Sequence, residues 1–478
     1  MIGDTYKSAA SSAIDCCHPK HQLSITHNCI QNVRLPGRDS TWDIAISRLH
    51  DSPHSIITSI TPHPNPEWNQ TAPLALPALT HPHIHLDKAF IHNSPEYAHL
   101  LPSTGSFAEA LSFTTKAKQQ FTREDLLRRG EWLIAGSVSA GVTAMRAFVE
   151  VDHTVNLTCL EAGIALKDEW KEACAVQIVS FAQDPIFSGE HGNHNRRLME
   201  EAVQQPQVDV IGTTPYVESS IDASKQNIIW AIERALECRK HVDFHLDYNL
   251  DTGKEALVWF VLRTLKERGW TSQSTDKRVM LGHCTRLTLF SDEEWGLLAQ
   301  EIRDNDLPVS FVGLPTSDMY MASPPSSKSH DRPRGTLQVL EMIKKYGLDT
   351  VIGINNVGNT FTPWGSEDPL SLACLGVGVY QAGTKANAQL LYECVSTRAR
   401  AAIGLSSSEA LALNQGSRAD ILLFYDVDDT GCNVSRPRHG VAGIVWDPPA
   451  KASRELVVGG QLKASPCSLC PKSAFDFV

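Results

Sequence analysis

The chain has 478 residues, 42% of them apolar and 20% charged, with a formal net charge of −11 at pH 7. That composition supports a large buried core and excludes global disorder, and the acidic balance makes the chain a poor clamp for a phosphate backbone, so no nucleic-acid partner is expected. No apolar run approaches the ~18 residues needed to span a bilayer, and Met1–Cys17 lacks the basic-then-apolar order of a secretory signal. Twelve cysteines without regular spacing then read as reduced thiols, which predicts a cytoplasmic protein with no membrane partner.

In chain order, Leu23 to Pro77 carries short alternating runs, Ile44-Ala45-Ile46 and Ile56-Ile57-Thr58, broken by Pro and Asn. From Leu79 onward, apolar or period-two runs alternate with helical patterns. The runs lie near Leu79–His85, Val142–Val149, Cys174–Phe181, Val208–Gly212, His241–His245, Val279–His283, Leu307–Gly313 and Thr350–Ile354; their β-branched content and alternation predict strands. Phe107–Ala140 is long enough for two helices. Ser220–Lys240 has helical spacing, and Ser291-Asp292-Glu293-Glu294 is a capping box. Stretches rich in Ser, Pro and Asp, Ser323–Arg334 and Asp426–Pro437, predict surface loops. After Gly416, strands are predicted at Ala419–Phe424, Val441–Trp446 and Glu455–Gly460.

Eight strands with helical connections predict a (β/α)8 barrel, α/β in class, with an open doubly wound sheet as the alternative. The expected domains are a barrel over 79–414, a small β-sandwich from 20–78 and 415–465, and a tail over 466–478. The tail contains Pro466-Cys467-Ser468-Leu469-Cys470. That is the Pro-Cys-x-x-Cys half of a zinc nucleobase deaminase pattern. Its partner His-x-Glu is absent from the sequence, so Cys467 and Cys470 are read as idle.

Barrel chemistry sits at the C-terminal ends of strands. Strand one ends in His81-Pro82-His83-Ile84-His85-Leu86-Asp87. Residues i and i+2 of a strand point the same way, so His83 and His85 are expected to face inward together, an arrangement that suits one divalent ion. Zinc is the first expectation and iron the second. His245, ending strand five beside Asp243, Asp247 and Tyr248, is the candidate third ligand. His283, ending strand six, is a candidate ligand or general acid/base. Strand eight ends in Asn355-Asn356, followed by Phe361 and Trp364, on which a ring-shaped substrate could stack.

These residues resemble the amidohydrolase superfamily, most closely its bacterial-type cytosine deaminase branch. Phe181-Ala182-Gln183-Asp184 is similar to that branch's Phe-Pro-Gln segment, and His245-Leu246-Asp247 to its His-Cys-Asp-Glu motif. Gly282-His283 is similar to its catalytic-His segment, and Gly416–Asp420 to the re-entry into its small β-domain. The resemblance implies a (β/α)8 barrel with a flanking β-sandwich, one divalent metal and attack of metal-activated water on a C–N bond. It also implies a homo-oligomer and a small nitrogenous substrate, a cyclic amide or amidine, whose amide Gln183 would hold. Two positions depart from the pattern. Asn355 stands where the family has a metal-binding Asp that acts as base, and Tyr248 stands where it has a Glu. Asn355 could still offer a carbonyl oxygen to the metal, Asn356 would face the substrate, and Asp247 or Tyr248 could take over part of the proton transfer. The departures open two alternatives: a cyclase, lyase or isomerase on the same barrel, and a catalytically silent binding protein.

Overall fold

The valine- and isoleucine-rich runs of the chain's middle are buried on both sides, as strands of a parallel sheet covered by helices must be. The structure, a computed structural model, describes residues 29–48, 55–64, 72–322, 335–406, 411–426, 432, 434 and 436–464. The N-terminal strands are β1 (Cys29–Arg34), β2 (Thr41–Arg48), β3 (Ser55–Pro62) and β4 (Leu74–Pro77). The barrel strands are β5 (Leu79–His85), β6 (Val142–Glu150), β7 (Ala175–Ala182), β8 (Val208–Thr213), β9 (His241–Leu246), β10 (Val279–His283), β11 (Val309–Gly313) and β12 (Thr350–Ile352). After them come β13 (Asp420–Phe424), β14 (Arg454–Val458) and β15 (Gln461–Ala464).

Strands β5 to β12 pair in sequence order, all in parallel. The ring closes through Asn355, just past β12. Its backbone bridges Ile84, donates to His83 O (3.2 Å) and accepts from His85 N (2.8 Å). The expected barrel is therefore present, and its closing seam runs through the metal-ligand candidates. The two helices expected over Phe107–Ala140 are α1 (Phe107–Lys118) and α2 (Arg123–Ala140), capped by Ser106 and Thr122. Ser220 caps the helix Ile221–Cys238, and Ser291 and Glu294 form the expected reciprocal capping box.

Both chain ends build the second sheet, in the order β15-β14-β13-β4-β1-β2-β3. It is one seven-stranded sheet that rolls upon itself. The far edge returns to the start of β13, with Ile57 N donating to Ser417 O (2.8 Å) and Ala419 N to Ser55 O (3.0 Å). Ile30, Val33, Ile44, Ile57, Ile421 and Val457 fill the space it encloses. One expected strand is corrected: Val441–Trp446 lies in a helix, Gly440–Trp446, packed on the helices Pro369–Val379 and Lys385–Cys394. A short apolar run fits a buried helix turn as well as a buried strand, and the neighbouring helices decide between them.

The sheet docks on the N-terminal end of the barrel. Gly141, in the left-handed region at φ 106°, ends α2 so tightly under Leu422 that a Cβ there would stand 2.4 Å from Leu422 Cδ2. Arg454 of β14 pairs with Asp368 (2.7 Å) and donates to Ala140 O (3.0 Å), all three groups being buried. Cys16, Cys17, the Cys467/Cys470 tail, the Ser323–Arg334 loop and much of the Asp426–Pro437 loop lie outside the described residues. The cysteines among the described residues are free thiols. No helix of the described residues is long and apolar enough to cross a membrane.

Candidate metal centre and substrate pocket

At the C-terminal rim of the barrel, β5 presents His83 and His85 and β9 presents His245, all three buried. Each offers a ring nitrogen, and these atoms lie within 4.8 Å of one another. Burial pushes the pKa of all three down; for His85 the neighbouring Lys88 ammonium adds to this, and for His245 the other imidazoles do. The rings are therefore neutral and keep a lone pair for a cation. His85 Nε2 and His245 Nε2 are 3.2 Å apart. Tetrahedral zinc with Zn–N of about 2.0–2.1 Å sets its ligand nitrogens about 3.4 Å apart, so the spacing suits that ion. Neither nitrogen of His83, nor Nδ1 of His85 or His245, has a hydrogen-bond partner. Buried polar atoms without partners are costly, and a shared cation would satisfy one nitrogen on each ring. The donor set fits a divalent metal.

Behind His83 lies an acid. Asp243 Oδ1 is 3.7 Å from His83 Nδ1, while Asp243 Oδ2 pairs with Arg146 at 3.2 Å in the barrel interior. Arg146 is held in turn by Gln177 Oε1 (3.1 Å) and Ile403 O (3.1 Å). A carboxylate behind a ligating imidazole orients the ring and raises its basicity.

His283 ends β10 on the same rim, with its ring centroid 5.1 Å from that of His245. Its Nδ1 is 2.7 Å from Asp318 Oδ1. Asp318 Oδ2 accepts from Leu314 N (3.1 Å) and Thr336 Oγ1 (2.8 Å). The acid is thus fixed on both oxygens, and it holds the His283 ring by Nδ1. Three strand-end residues here, Asp247, His283 and Asn355, have φ of 48°, 64° and 69°. Non-glycine residues in that region are held by their surroundings, and they gather at functional sites.

Asn355 donates from Nδ2 to Ser317 Oγ (2.9 Å), which is 2.6 Å from Thr362 Oγ1. Its Oδ1 is buried without a donor, leaving a neutral oxygen for a cation. Asn356 Oδ1 accepts from Asn359 Nδ2 (2.8 Å). Gln183 follows β7 and accepts from the Lys88 ammonium at 3.3 Å. Lys88 is itself paired with buried Glu150 (2.7 Å). Asn355, Asn356, Ser317, Gln183 and Lys88, with Tyr216, Phe107, Met321, Tyr248 and Phe361, line a small cavity of about 20 Å³. That is room for about one water, and Phe107, Met321 and Phe361 form its apolar side.

Two sequence candidates lie elsewhere. Both carboxylate oxygens of Asp247 accept backbone N–H groups, from Leu257 (2.8 Å) and Val258 (3.0 Å), and the side chain does not line the cavity. Burial, partly offset by those two donors, raises its pKa to about 6. Trp364 is exposed and outside the cavity lining. Tyr248 does line it, its ring 4.4 Å from that of His283. Sequence reasoning passed over Lys88, Tyr216, Ser317 and Asp318. Lys88 had a usable signal, its place three residues after His85. Asp318 had none, since it lies five residues beyond β11 in a helix.

A second cluster of possible ligands, Asp152, His153 and Asp184, already holds a cation. The Lys118 ammonium contacts Asp152 and Asp184 (3.4 Å) as well as Glu150 (2.6 Å), so that cluster is a lysine-centred ion-pair network.

No family model matches the chain. A curated relative, N-isopropylammelide isopropyl amidohydrolase of Pseudomonas sp. (strain ADP), is 19% identical over 395 residues, covering 82% of this chain and 90% of the relative. Among solved structures, the 5-methylcytosine deaminase of Klebsiella pneumoniae liganded with 5-fluorocytosine superposes with a TM-score of 0.75 at 21% identity. The match covers 91% of this chain and 97% of that one. Atrazine chlorohydrolase from Arthrobacter aurescens TC1, complexed with zinc, gives 0.63 at 15% identity over 92% and 95% of the two chains. This chain shares the barrel-and-flanking-sheet fold of those enzymes.

Proposed function

We propose that the chain is a metal-dependent hydrolase of the amidohydrolase superfamily, acting on a C–N bond of a small planar nitrogenous molecule. The observation that carries this reading is the meeting of three neutral, buried imidazoles, His83, His85 and His245, at one rim of the barrel. The printed names of the relatives, an amidohydrolase and a deaminase among them, support the same class of chemistry. A divalent ion held there, zinc by preference, would supply Lewis acidity and an activated water.

The chain's own residues do the rest. Asp318 holds His283 so that its Nε2 can give or take a proton at the reacting centre. Gln183, with Lys88 beside it, offers hydrogen bonds to a ring amide, and Lys88 adds a fixed positive charge against oxygen that gains charge. Phe361 and Tyr248 give the pocket flat walls. Their closeness excludes bulk water and strengthens each polar contact inside. Asn355 would offer a neutral oxygen to the ion and no base, because an amide does not accept a proton near neutral pH.

Elemental analysis of the purified protein should find close to one metal per chain, and His245→Ala should lose it. Stripping the metal should abolish turnover, and adding it back should restore it. Metal-free protein with full activity would end this reading. A second reading, a non-hydrolytic elimination, cyclisation or isomerisation, is favoured by one observation, the missing carboxylate at Asn355. Asn355→Asp separates the two. If water attack is the chemistry, the exchange should raise hydrolysis of lactams or cyclic amidines by about 10²-fold or more. No gain on any such substrate would favour the second reading.

A further inference from the structure

We infer that the cleft between the N-terminal end of the barrel and the small sheet is a second binding site, for a small molecule that carries a phosphate group. The cleft has a volume of about 450 Å³. It lies at the opposite end of the strands from the candidate metal centre: Thr143 on its wall is near the start of β6, and Glu150, which pairs with Lys88 of the pocket, ends that strand. Seven residue steps along the strand separate them, roughly 23 Å.

Two guanidinium groups, of Arg400 and Arg418, face this cleft along with Thr143, Gln415, Ser417 and the one carboxylate of Asp420. Arg418 Nε bonds Asp420 Oδ2 directly. The same oxygen is 3.8 Å from Arg400 Nη1, beyond hydrogen-bond reach. Arg400 has one hydrogen bond from its guanidinium among the described residues, to Thr143 Oγ1 at 3.3 Å. Its Nε is buried with no acceptor, and its side chain is only 13% exposed. Among the described residues, two positive charges therefore share one negative charge, and the more buried of the two is the less satisfied. Burial lowers the Arg400 pKa, with Asp420 opposing and Arg418 adding to the shift. A buried charge without a full partner is costly.

An oxyanion in the cleft would supply the missing acceptors. Guanidinium groups bind phosphate through paired, charge-assisted hydrogen bonds, and hydroxyls such as those of Thr143 and Ser417 can add neutral ones. The volume falls in the range of small-molecule sites, about 300–1,000 Å³. It exceeds what a bare phosphate fills, and Pro77 and Leu413 offer an apolar wall for the remainder of an ester.

The test uses the full-length protein with its metal, and the probes are inorganic phosphate and ribose 5-phosphate against chloride at matched ionic strength. Both probes should raise the thermal midpoint saturably, the ester at a concentration at least tenfold lower, and the rise should vanish in Arg418→Gln and Arg400→Gln. Arg418 is partly exposed, so Arg418→Gln decides the matter should Arg400→Gln fail to fold. No rise beyond that in chloride would overturn the site. So would a rise that survives in Arg418→Gln but disappears when the metal is stripped, which would place the phosphate on the metal. An ester that binds no tighter than phosphate would overturn the assignment to a phosphorylated molecule.

Discussion

The pair formed by His283 and Asp318 shows how a single side chain can depend on another far off in sequence. Asp318 is fixed by two donors before it meets the imidazole, so it sets the tautomer and the ring direction together. Asp318→Asn should keep the shape but lose the carboxylate that holds the His283 ring through Nδ1. Steady-state kinetics should then show kcat falling by about 10²-fold with KM little changed, while the thermal midpoint stays within a few degrees. A rise in KM with a fall in midpoint, and kcat unchanged, would make Asp318 a packing residue. At this scale the sequence is legible where chemistry is local: His83 and His85 share a strand face by simple alternation, and both lie where that reading puts them. It is silent on partners joined by topology. Asp243 backs His83 from a strand 160 residues along the chain, and no local pattern records that pairing. Asp247 misleads for the opposite reason: it sits beside His245 in sequence, yet a left-handed backbone turns it toward Leu257 and Val258.

Strand β9 has His245 at the rim of the candidate metal centre and His241 at the opposite end. His241 Nδ1 accepts from Arg278 N (2.9 Å), and burial, reinforced by Arg146, lowers its pKa to about 3. Its folded pKa is thus below the unfolded value near 6.5. Between those values the unfolded chain binds the extra proton, so the stability contributed by neutral His241 is complete above pH 6.5 and lost as pH falls toward 3. Urea unfolding at pH 7, 5 and 4 should show this decline, and His241→Gln should make it shallower by about one proton's worth; an unchanged slope would rule His241 out as its source. Elements with a strong period were readable from the chain, such as the capped helix Ile221–Cys238 and all eight barrel strands. The helix Gly440–Trp446 was not, because seven apolar and glycine residues hold no period of their own and take their form from the helices they touch.

The barrel and the rolled sheet fit together through contacts that leave little slack. Gly141→Ala would place a methyl group against Leu422 on a backbone that already disfavours a side chain. It should cost on the order of 2–4 kcal/mol, measured by chemical denaturation, with metal content per folded chain unchanged. A loss below about 1 kcal/mol would show that the junction is looser than its geometry implies. The candidate metal centre lies at the other end of the strands, so damage at the junction and damage at the centre should be separable.

The left-handed turn at Asn355 has a bearing on how such a protein can change its chemistry over time. Asn and Asp are the side chains that tolerate this conformation best after glycine, and they have nearly the same outline. Exchanging one for the other swaps an amide for an acid at the seam that closes the ring, with little for the backbone to notice. On the proposed chemistry, the residue that would decide whether water can be deprotonated there is thus one that selection could alter in a single step, forward or back, leaving the architecture indifferent to the outcome.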